Sequence, residues 1–297
     1  MGLDLQGVRI AVLGGDRRHL FLIPELVRLG ASVTVVGFPP SLGLEGVCFL
    51  EKVEVAVENA QVVILPIPGP DPQGKVKTLE EPGELTFTIE VAKIIPPGTL
   101  VLVGVAQEFL HRWALQMKWK LVEVAKMDEY AILNSIPTAE GALKIAIEEL
   151  PITVHHSKSF VLGFGRLGRT LARMLQALGA QTTVVARREA HLARIFEMGC
   201  RAVPFSELSQ VIPEAEIIFN TVPALVLTRD ILSLVQKGVL IIDLASVPGG
   251  TDFQAAEELG LKAILAPGLP GKVAPATSGR ILAQIVPRLI LRELSAS

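Results

Sequence analysis

A chain of 297 residues with a formal net charge of −2 at pH 7 has room for two ordinary domains and is too nearly neutral for a nucleic-acid or membrane-surface protein. Half its residues are hydrophobic, yet no apolar run approaches the ~20 residues that span a bilayer; the longest, such as Val239 to Ile242, fit one buried strand. The amino-terminal MGLDLQGVRIAVLGG lacks the charged start, long apolar stretch and cleavage site of a secretory signal. The two cysteines, Cys48 and Cys200, are far apart and have no partner at metal-ligand spacing, so both read as reduced residues of a cytoplasmic protein without a metal site.

In chain order, short β-branched runs alternate with segments of helical period, as in parallel α/β sheets. The first half predicts strands at Arg9–Leu13, Ser32–Val36, Gln61–Leu65, Leu100–Val103 and Lys120–Val124, with helices at His19–Leu29 and Gln107–Met117. Next, Asn134-Ser135-Ile136-Pro137-Thr138 places a proline in the first turn of a helix that runs to about Leu150 and stops at Pro151. The second half predicts strands at Ser159–Leu162, Gln181–Val185, Ile217–Asn220, Val239–Asp243 and Lys262–Leu265. At the end, Ile281, Leu282, Ile285, Val286, Leu289 and Ile290 form a helical apolar stripe, with a kink expected at Pro287.

The pattern repeats. RIAVLGGDRRHLFLIPELVRLGASVTVVGF and SFVLGFGRLGRTLARMLQALGAQTTVVARR both run strand, glycine turn, helix, LGA, strand. The expected fold is therefore α/β, two Rossmann-like doubly wound parallel-sheet domains joined by hinge helices, with the C-terminal helix packing back on the first domain. The expected limits are residues 1–136 plus 277–297 for a substrate domain, 137–150 for the hinge helix, and 151–276 for a cofactor domain.

Gly163-Phe164-Gly165-Arg166-Leu167-Gly168 follows a strand and opens a helix, with a second strand ending about 20 residues later, as a dinucleotide fingerprint requires. That second strand ends in Arg187-Arg188, where an acidic residue would accept from the ribose hydroxyl of NAD. Guanidinium groups there bind phosphate, which favours NADP. Thr221, Val222 and Pro223 follow the fourth strand of this domain and should lie along the dinucleotide; Leu244, Ala245 and Ser246 follow the fifth and should approach its nicotinamide ribose. The earlier turn, Gly14-Gly15-Asp16-Arg17-Arg18-His19, lacks the third glycine and brings an acid where a phosphate would sit. Arg18 is instead a candidate carboxylate anchor, or else part of a polar loop capped by Asp16. No histidine stands out as a general base, and Asp16, His19 and Glu140 are the catalytic candidates.

Several stretches together resemble the dipicolinate synthase A-subunit family of spore-forming bacteria over the whole length: Gly14-Gly15-Asp16 with Arg18, Asn134 to Thr138 with Glu140-Gly141, His191 to Gly199, Asp243 to Ser246 with Pro248 to Phe253, and Ala266 to Gly271. The resemblance implies an NADP-linked dehydrogenase that converts dihydrodipicolinate to pyridine-2,6-dicarboxylate during sporulation, in the mother-cell cytoplasm. It also implies a partner, a flavoprotein-like B subunit. A homo-oligomer is expected, with no nucleic-acid or membrane partner. For a planar dicarboxylate substrate, Arg18 would meet one carboxylate and the hinge-helix start, with Ser135 and Thr138, the other; Ser246 is a further substrate-binding candidate. D-2-hydroxyacid dehydrogenases carry a substrate arginine after the strand corresponding to Val239–Asp243, where this chain reads Ala245-Ser246-Val247-Pro248, unless Lys272 replaces it. The alternatives are an NADP-dependent amino-acid or 2-hydroxyacid dehydrogenase of the alanine dehydrogenase type, and a non-catalytic NADP-sensing module.

Overall fold

The computed structural model describes residues 3–79 and 85–295. The chain divides into two compact units, Met1–Leu133 with Ala274–Ser297, and Asn134–Val273.

In the first unit β1 (Arg9–Leu13) feeds α1 (His19–Arg28), β2 (Ser32–Val36), β3 (Val47–Phe49), α2 (Val53–Val57) and β4 (Val62–Ile64). A small antiparallel ribbon of β5 (Lys75–Val76) and β6 (Leu85–Thr86) precedes α3 (Ile89–Ile94), β7 (Leu100–Val103), α4 (Glu108–Met117) and β8 (Lys120–Glu123). The main sheet has the order β3-β2-β1-β4-β7-β8, and every neighbouring pair is parallel. Both of its faces are covered, so its central strands are largely apolar: Ile10 and Val12 enter one core, Ala11 and Leu13 the other.

Then α5 (Asp128–Glu149) leads to β9 (Lys158–Leu162), α6 (Arg166–Ala177), β10 (Gln181–Ala186), α7 (Glu189–Glu197), β11 (Arg201–Pro204) and α8 (Leu208–Val211). The second unit continues with β12 (Ile217–Asn220), α9 (Arg229–Leu232), β13 (Leu240–Asp243), α10 (Phe253–Glu258), β14 (Lys262–Leu265) and α11 (Leu269–Val273). Its sheet, β11-β10-β9-β12-β13-β14, is also parallel throughout. The last helix, α12 (Pro275–Ser295), belongs to the first unit, where Leu282, Ile285, Val286 and Leu289 share a core with Leu22, Ile23 and Leu26 of α1.

The strand order reverses beside β1 in one sheet and beside β9 in the other, which places a ligand crevice at the carboxyl ends of those strands. The repeated Leu-Gly-Ala explains why the two units begin alike. Gly30 (φ 88°) and Gly179 (φ 77°) take left-handed backbone just past α1 and α6. Their N–H groups donate to Val27 and Gln176, and those of Ala31 and Ala180 to Leu26 and Leu175. Each helix thus ends in a Schellman closure that turns the chain directly into the next strand.

The structure corrects three expectations. The helix around Pro137 starts at Asp128, not at Pro137, so the proline lies in its interior; acidic Asp128 and Glu129 supply the favourable first turn instead. The unit boundary falls within α5, so residues 137–150 are part of the second unit rather than a separate hinge. Two edge strands, β3 and β11, and the ribbon were not anticipated. β3 is three residues long and partly exposed, and β11 begins with Arg201 and ends with Pro204, so neither shows the buried apolar run that marks the central strands. Among the described residues no helix is long and apolar enough to cross a membrane, and no group of His, Cys, Asp or Glu is placed to hold a metal.

Candidate functional site

After β9 the chain turns at Gly163 (φ 99°) and enters α6 at Arg166. Each glycine of the turn answers a different need. A Cβ on Gly163 would stand 2.5 Å from Thr221 Oγ1, and one on Gly168 2.2 Å from the Gly163 carbonyl oxygen. Those two positions are closed by the protein itself. A Cβ on Gly165 would meet no heavy atom within 4 Å, so this part of the turn is open. Gly165 is the N-cap of α6 and offers no side-chain cap. The N–H groups of Leu167 and Gly168, in the first turn, therefore stand at the positive end of the helix without intrahelical acceptors. An open glycine face beside uncapped amides fits a pyrophosphate.

The loops after β12 and β13 flank this turn on the same edge of the sheet, because β9, β12 and β13 are parallel neighbours. Thr221 Oγ1 donates to the Leu162 carbonyl (2.8 Å). Asn220, fully buried, donates from Nδ2 to Asp243 Oδ2 (3.0 Å) and to the Val222 carbonyl (3.2 Å), while its Oδ1 accepts from the Val222 amide (3.0 Å). Asp243, equally buried, accepts from the amides of Ala245 (3.0 Å) and Gly250 (2.8 Å) and from Thr251 Oγ1 (2.6 Å). Asp252 then caps α10 through the Ala255 amide (2.9 Å). The Pro248 to Phe253 stretch is thus a closure built around one carboxylate. It leaves Leu244 half-buried and Pro223 and Ser246 exposed.

At the end of β10, Arg187 and Arg188 are both exposed, and Arg188 is the N-cap of α7. Two residues to which the sequence assigned no cofactor role join them. The Arg169 guanidinium lies over the buried Phe164 ring (5.1 Å to its centroid), with Nη2 3.4 Å from His191 Nε2, and the His191 ring meets Phe164 edge-on at 5.6 Å. A detectable signal existed: each is a basic residue within the first turn of a helix flanking β10.

A cavity of about 410 Å³ opens at the opposite, amino-terminal edge of this sheet, lined among others by Lys158, Gln181, Arg201 and Glu214. It is remote from the glycine turn, and on its rim Arg201 pairs with Glu214 at 2.7 Å.

The first unit's turn is built differently. The Gly15 amide donates to the Lys77 carbonyl (2.7 Å), and a Cβ on Gly14 would lie 2.5 Å from that same oxygen. A backbone carbonyl stands where a phosphate would approach. Beyond it, Arg18 donates from Nε and Nη2 to Asp16 (2.9 and 2.8 Å), and both side chains are nearly buried. Burial alone would raise the Asp16 carboxyl, but His19 and Arg18 overcome it and hold the group far below the usual carboxylate range. Burial also raises the Tyr130 phenol, which the Arg18 charge partly offsets. His19 Nδ1 lies 3.1 Å from the Asp16 amide nitrogen and 3.3 Å from the Asp16 carbonyl oxygen, and Nε2 has no hydrogen-bond partner among the described residues.

These placements bear on several expected roles. Asp16 is held as an anion and is thereby a weak proton acceptor, Arg18 is ion-paired with Asp16, and His19 is fully buried. Because α5 begins at Asp128, Ser135 and Thr138 present no free helix-start amides: Ser135 Oγ bonds Thr170 Oγ1 (2.7 Å), and Thr138 Oγ1 donates to the Asn134 carbonyl (2.7 Å). Glu140 is exposed on α5 and Lys272 on α11. Asp16, Arg18 and His19 belong to the first unit; Ser135, Thr138, Glu140, Ser246 and all the cofactor candidates belong to the second.

Comparison with known proteins gives two family matches. Residues 9–125 match the N-terminal domain of the dipicolinate synthase A-subunit family, and residues 140–246 match the NAD binding domain of D-isomer specific 2-hydroxyacid dehydrogenases. The chain is 42% identical over 289 residues to the dipicolinate synthase A-subunit of Bacillus subtilis, which covers 96% of this chain and 97% of that protein. The crystal structure of the dipicolinate synthase A-subunit from Bacillus halodurans superposes with a TM-score of 0.93 at 39% identity, covering 97% of this chain and 99% of that one. A transhydrogenase from Sinorhizobium meliloti shares the fold, with a TM-score of 0.67 at 14% identity over 94% of this chain and 92% of its own.

Proposed function

Because this chain belongs to the dipicolinate synthase A-subunit family, we propose that it oxidises dihydrodipicolinate to dipicolinate with NADP as the electron acceptor. Its second unit is a dehydrogenase-type nicotinamide-binding domain, and the chain is an oxidoreductase. The observation that carries the cofactor reading is the open face at Gly165, set beside the start of α6, which has no side-chain cap, and the arginines that follow β10. Bound NADP supplies the two-electron acceptor.

In this reading the amides of Leu167 and Gly168 hold the pyrophosphate, and Arg187 and Arg188 hold the ribose phosphate. Thr221, Val222 and Pro223 run beside the dinucleotide. Leu244, Ala245 and Ser246, fixed by Asp243, set the position of its nicotinamide end. The reaction removes hydride from one ring carbon of the substrate and a proton from its neighbour, and the aromatic product provides driving force. The protein's main task is then to orient the ring and exclude alternatives. Exposed Glu140 is the proposed proton acceptor and Ser246 a substrate contact. That its relatives are designated as one lettered component of a synthase supports a partner polypeptide, and their product supports a role in sporulation.

The test is NADP reduction on adding freshly prepared dihydrodipicolinate, with and without the partner polypeptide. Absorbance of reduced nicotinamide should rise together with dipicolinate. No reduction under either condition would overturn the reading.

A further inference from the structure

Basic side chains gather around the end of β10, with Glu189 in the first turn of α7 beside them. Arg188 caps α7, Arg187 precedes it, and Arg169 and His191 meet over the Phe164 ring. Among the described residues neither Arg169, Arg187 nor Arg188 forms an ion pair with a carboxylate, although arginines 194, 201, 229, 288 and 292 all do. Such a group repels itself. His191 shows the strain: desolvation and then the charges of Arg169 and Arg188 lower its pKa. The energetic relief for such an arrangement is an anion with several acceptor oxygens.

Arg169 is also held in place as a surface arginine ordinarily is not. Its guanidinium rests on Phe164, which is buried to 3% exposure inside the glycine turn, and its outer edge is fixed by the His191 ring. The turn that would carry the pyrophosphate therefore also carries the aromatic platform for a third guanidinium.

We infer that Arg169 and His191, on the Phe164 platform, complete a binding site for the ribose 2′-phosphate and are determinants of NADP over NAD. This rests on the reading that the Gly163 turn holds the adenine half of a dinucleotide. Arg187 and Arg188 are carried on the exposed strand end; Arg169 supplies the pre-placed fork, and His191 supplies a ring nitrogen that orients it.

The experiment is calorimetric titration of the full chain and of Arg169→Gln, Arg169→Lys and His191→Asn with NADP, NAD, adenosine 2′,5′-bisphosphate and 5′-AMP. In Arg169→Gln, affinity for the two 2′-phosphorylated ligands should fall about tenfold or more, with NAD and 5′-AMP changed less than about twofold. Arg169→Lys, which keeps the charge but not the fork, and His191→Asn should fall between. If the unaltered chain prefers NADP and Arg169→Gln keeps that preference, the inference fails and the NADP reading stands. If the unaltered chain shows no preference for NADP, both fail. Equal loss for all four ligands would mark Arg169 as structural and also overturn the inference.

Discussion

Asn220 and Asp243 sit opposite each other in the register of β12 and β13, fully buried and joined by a 3.0 Å hydrogen bond. One carboxylate thereby fixes two loops at once, 220–222 through Asn220 and 244–251 through its own remaining acceptors. Asp243→Ala would leave buried amides and a hydroxyl without an acceptor, each costing about 1–3 kcal/mol. Urea unfolding should show a loss of about 3 kcal/mol or more, and nicotinamide cofactor affinity should fall with it. Asp243→Asn, with one acceptor oxygen left, should lie between. An unchanged midpoint for the alanine variant would show that water replaces the carboxylate.

The glycine turn separates folding from binding. Gly165→Ala places its methyl in open space at φ −81°, so stability should stay within about 0.5 kcal/mol, while dinucleotide affinity drops because the methyl occupies the approach to the helix amides. Gly168→Ala drives a methyl onto the Gly163 carbonyl and should lose about 1–3 kcal/mol as well as binding. Thermal melts beside cofactor titrations distinguish the two. A Gly165→Ala variant that binds normally would move the pyrophosphate elsewhere.

Arg187→Asp replaces the charge proposed to bind the ribose phosphate with one that repels phosphate and accepts from a ribose hydroxyl. NADP affinity should fall about tenfold or more and NAD affinity should hold or improve. Parallel losses for the two dinucleotides would remove Arg187 from cofactor selection.

Asp16 links the first unit's stability to pH. Its folded-state pKa lies below the ordinary 3.8, so the Arg18 pair contributes fully above that value and is lost as pH falls beneath it. Asp16→Asn should cost about 3–5 kcal/mol at neutral pH, since it leaves Arg18 buried and unpaired. It should also flatten the acid limb of a stability profile from about pH 5 downward. An acid limb as steep as that of the unaltered chain would mean that other carboxylates govern it.

The two sheets were readable because buried parallel strands such as Leu100–Val103 and Ile217–Asn220 are unbroken apolar runs, and the internal repeat announced two units. The turn at Gly163 was readable for the same reason: its glycines and their flanking strand and helix form one local pattern. Roles that depend on side chains meeting were not. Whether Asp16 answers a ligand or Arg18 is decided by a two-residue contact whose burial no local pattern records. Pro137 looked like a helix start because proline is favoured there, yet α5 had already begun nine residues earlier. Arg169 and His191 are 22 positions apart, and only the packing of α6 and α7 around β10 brings them together.

The Leu-Gly-Ala closure of α6 has a metric consequence. It leaves no slack between helix and strand, so the chain from Gly179 to Arg187 acts as a ruler of fixed length. Along it Val184 and Ala186 face one core and Val185 the other. One residue inserted after Gly179 would turn that strand over, sending each side chain to the wrong face. The charge at its end would be delivered to a different address. The side of the sheet on which the strand-end cations emerge is thus set at the helix cap, a whole strand-length away from them.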